Sequence, residues 1–200
     1  METANTVVTK YQLSPNLTIH PHRKFQPNTW LVIGTGPTVG EDWAQLLSLA
    51  PEDFFLQSEL VLVNGAALPL GCTRADHHVT YHSEHYHVVP TETVRSCRSR
   101  HASVAMPWTT DCWLVPDEYH VGGSAFLAAY IAGQLGHIRR VVLIGCPMDG
   151  DDAHAVLLQQ VLNSQPEVWK YYRRLVCSLS GATKDLFGGL TTLTITSEEY

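Results

Sequence analysis

The sequence predicts a three-layer α/β fold with a mainly parallel sheet, and three observations carry that prediction. Continuous β-branched and aliphatic runs recur at "TWLVIG" (Thr29 to Gly34), "ELVLVNG" (Glu59 to Gly65) and "RRVVLIGC" (Arg139 to Cys146). Such runs, bounded by turn residues, suit strands covered on both faces. Glycine-bearing turns stand before two helical segments. The longer of these segments leads directly into the third apolar run, as a crossover helix does between parallel strands.

Along the chain, residues 1–28 are polar with scattered apolar positions and read as an N-terminal arm or an added edge strand. Residues 29–200 read as one folded domain, with no repeat or linker to divide them. After the first strand, Trp43, Leu46, Leu47 and Ala50 repeat at helical spacing. "HHVTYH" (His77 to His82) follows the second strand as a third, and "HASVAMP" (His101 to Pro107) as a fourth. "VGGSAFLAAYIAGQLG" (Val121 to Gly136) is a helix opened by glycines and a serine and ended by Gly136. A helix over Glu167 to Leu175 and an edge strand over Thr192 to Thr196 complete the reading.

Bulk properties narrow the function. With 44% hydrophobic and 16% charged residues, 200 residues support a real core rather than a disordered chain. The net charge is -6, and basic residues cluster only at Arg95, Arg98 and Arg100 and at Arg173 with Arg174. No basic stripe exists for a nucleic-acid backbone, so nucleic acid is not the expected partner. Five cysteines without a C-x-x-C pair fit neither a disulfide framework nor a cysteine zinc site. No signal-peptide core or membrane-length apolar run appears, so a cytoplasmic protein without a membrane span is expected. A homo-oligomer stays open.

The residues that point to chemistry gather at expected strand ends. In "LVIGTGPTVG", Gly34 and Gly36 start a dinucleotide-type pattern, but the third glycine falls at Gly40, one place late. No Gly-Lys-Ser/Thr follows, so this is not a P-loop either. Pro37 suits a first helical turn, and Thr38 with Glu41 has capping-box spacing. The turn is either an anion or ribose cradle or a plain βα connection. Gly122, Gly123 and Ser124 pose the same choice between a ligand turn and a simple N-cap. Asn64 and Asp149 follow apolar runs and should emerge at the same carboxyl edge. Asp149, with Asp151, Asp152 and His154 behind it, suits a Mg²⁺ ligand or a general base, or only a turn. His77, His78, His82, His85 and His87 lack a metalloprotease spacing. A histidine-rich surface loop is favoured there, with His82 or Glu84 touching substrate. No G-x-S-x-G elbow is present.

Together, "LVIGTGPTV", "LVLVNGAA", "ADHHVTYHSEHY" and "GGSAFLAAYIAGQLGHIRRVVLIGCPMDG" resemble a Rossmann-like family. It includes the archaeal 6-hydroxymethylpterin pyrophosphokinases and the family 42 bacterial sialyltransferases. The tail "SLSGATKDLFG" is similar to short phage-encoded and metagenomic members. The resemblance implies a three-layer Rossmann-like, nucleotide-binding domain. It implies that Gly34, Thr35, Gly36, Pro37 and Thr38 face a nucleotide phosphate or ribose. Asn64, Gly122, Gly123 and Ser124 would line the same pocket, with Asp149 beside it. Departures are Thr38 in place of Ser, Asp149 set further from its glycine, and Tyr81-His82 where pyrophosphokinase-like members are acidic. The implied activity is a nucleotide-dependent transferase, a glycosyltransferase using a nucleotide-activated sugar and a small-molecule or glycan acceptor. It would require no cofactor, with His154, His82 or Asp149 as general base. The alternatives are a Mg²⁺-dependent pyrophosphokinase-like enzyme and a non-catalytic nucleotide-binding phage accessory protein.

Overall fold

The first apolar run forms a strand over Thr29–Ile33 in which all five residues are buried. A polar side chain on either face would need a buried partner. In this computed structural model the described residues are 9–10, 27–66, 75–80, 82, 85, 95–99, 111–115, 123–149, 153, 156, 159, 162–163 and 166–191. Their strands are β1 (Thr9–Lys10), β2 (Thr29–Ile33), β3 (Ser58–Val63), β4 (His77–Thr80), β5 (Arg95–Ser99), β6 (Asp111–Val115), β7 (Arg140–Ile144) and β8 (Val176–Ser178). The helices are α1 (Val39–Leu49), α2 (Glu52–Leu56), α3 (Ser124–Gln134), α4 (Pro166–Leu175) and α5 (Gly181–Phe187).

The strands form one sheet in the order β1-β6-β5-β4-β3-β2-β7-β8. Every neighbouring pair from β6 through β8 is parallel, and β1 joins β6 antiparallel. The expected mainly parallel α/β sheet is therefore present. Strand order runs outward from β2 through β3 and β4, then resumes on the other side of β2 with β7. The topological switch point lies between β2 and β7.

Period-two alternation builds the three layers. Trp30 and Val32 of β2 join Val61, Val63, Val79 and the α3 residues Phe126, Leu127 and Ile131 in one core. Leu31 and Ile33 turn the other way, to Leu46 of α1, Phe54 of α2, Leu62, Val142 and Ile144. Helix α3 is apolar nearly all round, with Ala125 through Ala129 buried. Its alanines fit a helix laid across the centre of the sheet. Gly136, at φ +71, follows the C-cap Leu135 and ends the helix as its position suggests.

The structure departs from the sequence reading in two places. Leu47 is 56% exposed although it shares the helical spacing of buried Leu46, because the α1 apolar stripe is narrower than that spacing implies. The strand β8 and the helix α5 arise within "VCSLSGATKDLF", for which the sequence reading gave no structure. Strands β5 and β6 flank "HASVAMP", which lies outside the described residues, as does Thr192 to Thr196. Among the described residues no helix is long and apolar enough to cross a membrane.

Candidate functional site

Ligands of open α/β sheets sit outside the carboxyl ends of the strands, near the switch point. At this edge the protein carries two polar groups of different construction.

The first lies over β2 and β7. The Gly34 amide donates to the Ile144 carbonyl and the Gly36 amide to the Gly145 carbonyl, each at 2.8 Å. A Cβ on Gly34 would stand 2.6 Å from both Cys146 Sγ and the Gly145 carbonyl oxygen. One on Gly36 would stand 2.6 Å from that same oxygen and 2.7 Å from Pro147 Cδ. Gly145, at φ +63, would bring a Cβ within 2.6 Å of Val39 Cβ. These three glycines let two loops lie directly on each other. The Gly34 and Gly36 amides are thus engaged inside the protein, while Thr35 and Pro37 remain exposed.

Asp42 fastens this junction. It is 2% exposed. Its Oδ2 accepts from the Gly145 amide at 2.8 Å, from Ser180 Oγ at 2.8 Å and from Thr38 Oγ1 at 3.2 Å. One carboxylate oxygen therefore joins the β2–α1 turn, the β7 loop and the turn before α5. Hydrogen bonds to an ionised acceptor are the strong ones. Thr38 is the N-cap of α1 but makes no side-chain cap bond, so the capping box its spacing suggests does not form. Its hydroxyl serves Asp42 and Ser180 instead.

Asp149 belongs to the same interlock. Its Oδ1 accepts from the Ala182 amide at 2.7 Å, in the first turn of α5. Thr183 donates its amide to the Pro147 carbonyl at 3.1 Å and its hydroxyl to the Cys146 carbonyl at 2.7 Å. Gly181, at φ +64, permits a close approach of the two loops: a Cβ there would meet Pro147 Cβ at 2.5 Å. Cys146 offers no nucleophile here. Burial, and then the nearby Asp42 charge, push its thiol up to about 12, and hydrogen bonds with the Gly34 and Ile144 backbone offset this only in part.

The second group lies at β3, β4 and the start of α3. Asn64 follows β3 at φ +52, the left-handed region that Asn tolerates better than most residues. Its Oδ1 accepts from Thr80 Oγ1 and from Ser124 Oγ, each at 2.8 Å. Its carbonyl accepts from His78 Nε2 at 2.8 Å. The N-cap of α3 is Gly123, at φ +112 with no side-chain cap. Ser124, read as either a ligand contact or a cap, makes no cap bond and crosses to Asn64. The first amides of a helix have no intrahelical acceptor, and the helix dipole makes that end attractive to an anion. His82 lies just past the end of β4. Its amide donates to Thr80 Oγ1 at 2.9 Å, and its ring meets His85 edge-on at 5.8 Å. Burial holds the His78 pKa below the ordinary histidine value; the bond to Asn64 opposes this and the His85 charge adds to it.

His77 points away from this group. It sits 3.0 Å from Glu59 Oε2 and against the Trp30 ring at 4.5 Å. The histidine run is therefore split between the two faces of β4. Among the described residues no three His, Cys, Asp or Glu side chains gather to hold a metal ion. Gly122 and His154 lie outside the described residues.

The sequence reading missed Asp42, Thr80, Gly145, Ser180 and Thr183, and placed His78 only in a histidine-rich surface loop. Asp42 looked like an ordinary acidic residue in the first turn of a helix, and Thr80 like a strand residue. Among the described residues the Asn64 to Ser124 pairing unites two predicted residues by a direct side-chain bond. Comparison with protein-family models, with curated proteins and with solved structures finds no match to this chain.

Proposed function

We propose that the chain is a nucleotide-dependent transferase that uses a nucleotide-activated sugar and acts on a hydroxyl-bearing small molecule or glycan. The observation that supports this reading is the Asn64–Thr80–Ser124 junction. It fixes a polar side chain in the left-handed region beside the side-chain-uncapped start of α3, at the carboxyl edge of a parallel sheet. In this reading the donor phosphate lies against the first turn of α3 and Asn64. The oriented amides there stabilise the leaving nucleoside phosphate as its charge develops. His82, held beside Thr80, takes the proton of the acceptor hydroxyl. Exposed Thr35 and Pro37 line the nucleoside side of the crevice. Metal-dependent pyrophosphoryl transfer has weaker support, because one oxygen of the Asp149 carboxylate it needs is bonded to the start of α5.

Thermal melting with cytidine, uridine and adenine nucleotides, with and without Mg²⁺, tests the reading. A rise in melting temperature with a pyrimidine nucleotide in chelator, lost in Asn64→Ala, is expected. No shift with any nucleotide rejects it. Binding without turnover of any nucleotide sugar would leave a binding protein rather than a transferase.

A further inference from the structure

His78 is a buried histidine whose two ring nitrogens have different surroundings. The side chain is 1% exposed. Nε2 lies 2.8 Å from the carbonyl oxygen of Asn64. A carbonyl only accepts, so Nε2 carries the hydrogen. In the neutral ring Nδ1 then bears a lone pair, and Nδ1 has no hydrogen-bond partner among the described residues. A protonated ring would place a second N–H where no described residue offers an acceptor, and a full charge in a buried site.

Among the described residues nothing compensates that charge. On β3 the register neighbour of His78 is Leu62, and Asn64 presents an uncharged carbonyl. On β5 the register neighbour is Ser96, with Arg98 two positions further along. On its own strand His77 is turned to Glu59, and just before the strand Asp76 accepts from the Leu60 amide. Among the described residues His85 acts on it electrostatically and repels a second positive charge.

We infer that His78 is a positioning residue: its buried, neutral ring holds Asn64 in its left-handed conformation through Nε2–H, and acidification, which puts a charge and a second N–H into that buried site, drives the ring out and so releases Asn64 and with it the Thr80 and Ser124 hydroxyls. The sign follows from linkage. The folded protein binds this proton less readily than the unfolded chain. Its contribution is complete above the ordinary histidine value of ~6.5 and is lost as pH falls below it toward the lower folded value. Because Asn64 is in the proposed ligand edge, the binding consequence rests on the function proposed above. The structural consequence does not.

Two measurements test this. Nitrogen-15 NMR of the wild-type imidazoles at about pH 7.5 should find one ring in the Nε2–H form that resists protonation. The Nδ1–H form, or a ring that titrates normally, overturns the inference. In the second, His78→Gln keeps an N–H for Asn64 and removes the titration. Between about pH 7.5 and 5.5 the wild type should lose melting temperature more steeply than His78→Gln, with His85→Gln as a control that keeps most of the slope. Equal slopes in wild type and His78→Gln overturn the inference. If a nucleotide binds, wild-type affinity should fall with acid by up to about tenfold per pH unit, the limit for one linked proton. In His78→Gln it should stay nearly flat. If no nucleotide binds the wild type, the transferase reading fails while the tautomer and the slopes still decide the role of His78.

Discussion

The two polar groups at the carboxyl edge differ in what their residues face. Over β2 and β7, glycine amides, the Asp42 carboxylate and the Asp149 carboxylate all bond to neighbouring loops. Over β3 and β4, Asn64 and Ser124 bond to each other beside a helix start whose cap residue supplies no side chain. A glycine-rich turn in sequence is therefore weak evidence for a ligand. The same lack of a Cβ serves a phosphate or a second loop equally well. What separates the cases is where the amides point.

Under the function proposed above, that contrast makes the bonds of the first group a stability device and the second group a binding device, and substitutions can break it. The largest effect is expected for Gly145→Ala, which forces Ala into the left-handed region and against Val39. A loss of about 3 kcal/mol follows, or ~9 °C in melting temperature for a chain of this size. A change within experimental error would mean the loops are not packed as described. Next comes Asp42→Asn, which weakens three bonds to one buried oxygen. About 2 kcal/mol of stability should go, read by denaturant unfolding with an unchanged slope. Ser124→Ala should cost only about 1 kcal/mol of stability yet abolish the nucleotide-induced rise in melting temperature. If Asp42→Asn kills binding while Ser124→Ala spares it, the two groups have exchanged roles. The smallest effect has the opposite sign. Gly40 lies in α1 with nothing within 4 Å of its missing Cβ. Gly40→Ala should therefore stabilise by about 0.5 kcal/mol. That outcome would show that the displaced third glycine of "LVIGTGPTVG" has no local task.

Much of the fold was legible because burial on both faces leaves a plain signature. The runs at Thr29, Glu59 and Arg139 became β2, β3 and β7, and the Ala-rich run from Ser124 became α3. The short β8 was not legible. Val176–Ser178 has only three residues, and its place beside β7 is set by pairing with Val141 to Leu143. The candidate site was legible only in part. Asn64 and Ser124 stand sixty residues apart, and each alone reads as a turn or cap residue. Asp42 and Ser180 are 138 apart, and neither has a neighbour in sequence that marks it.

The order of apolar runs and glycine turns by itself determined that this chain forms a parallel α/β sheet with its polar strand ends along one edge. Hydrophobic periodicity is local, so a single chain displays it. Which strand ends meet, and whether a glycine faces a ligand or another loop, was decided only by the tertiary structure. Hydrogen-bond partners such as Asp42 with Gly145, or His78 with Asn64, become neighbours only after β7 pairs with β2 and β4 with β3.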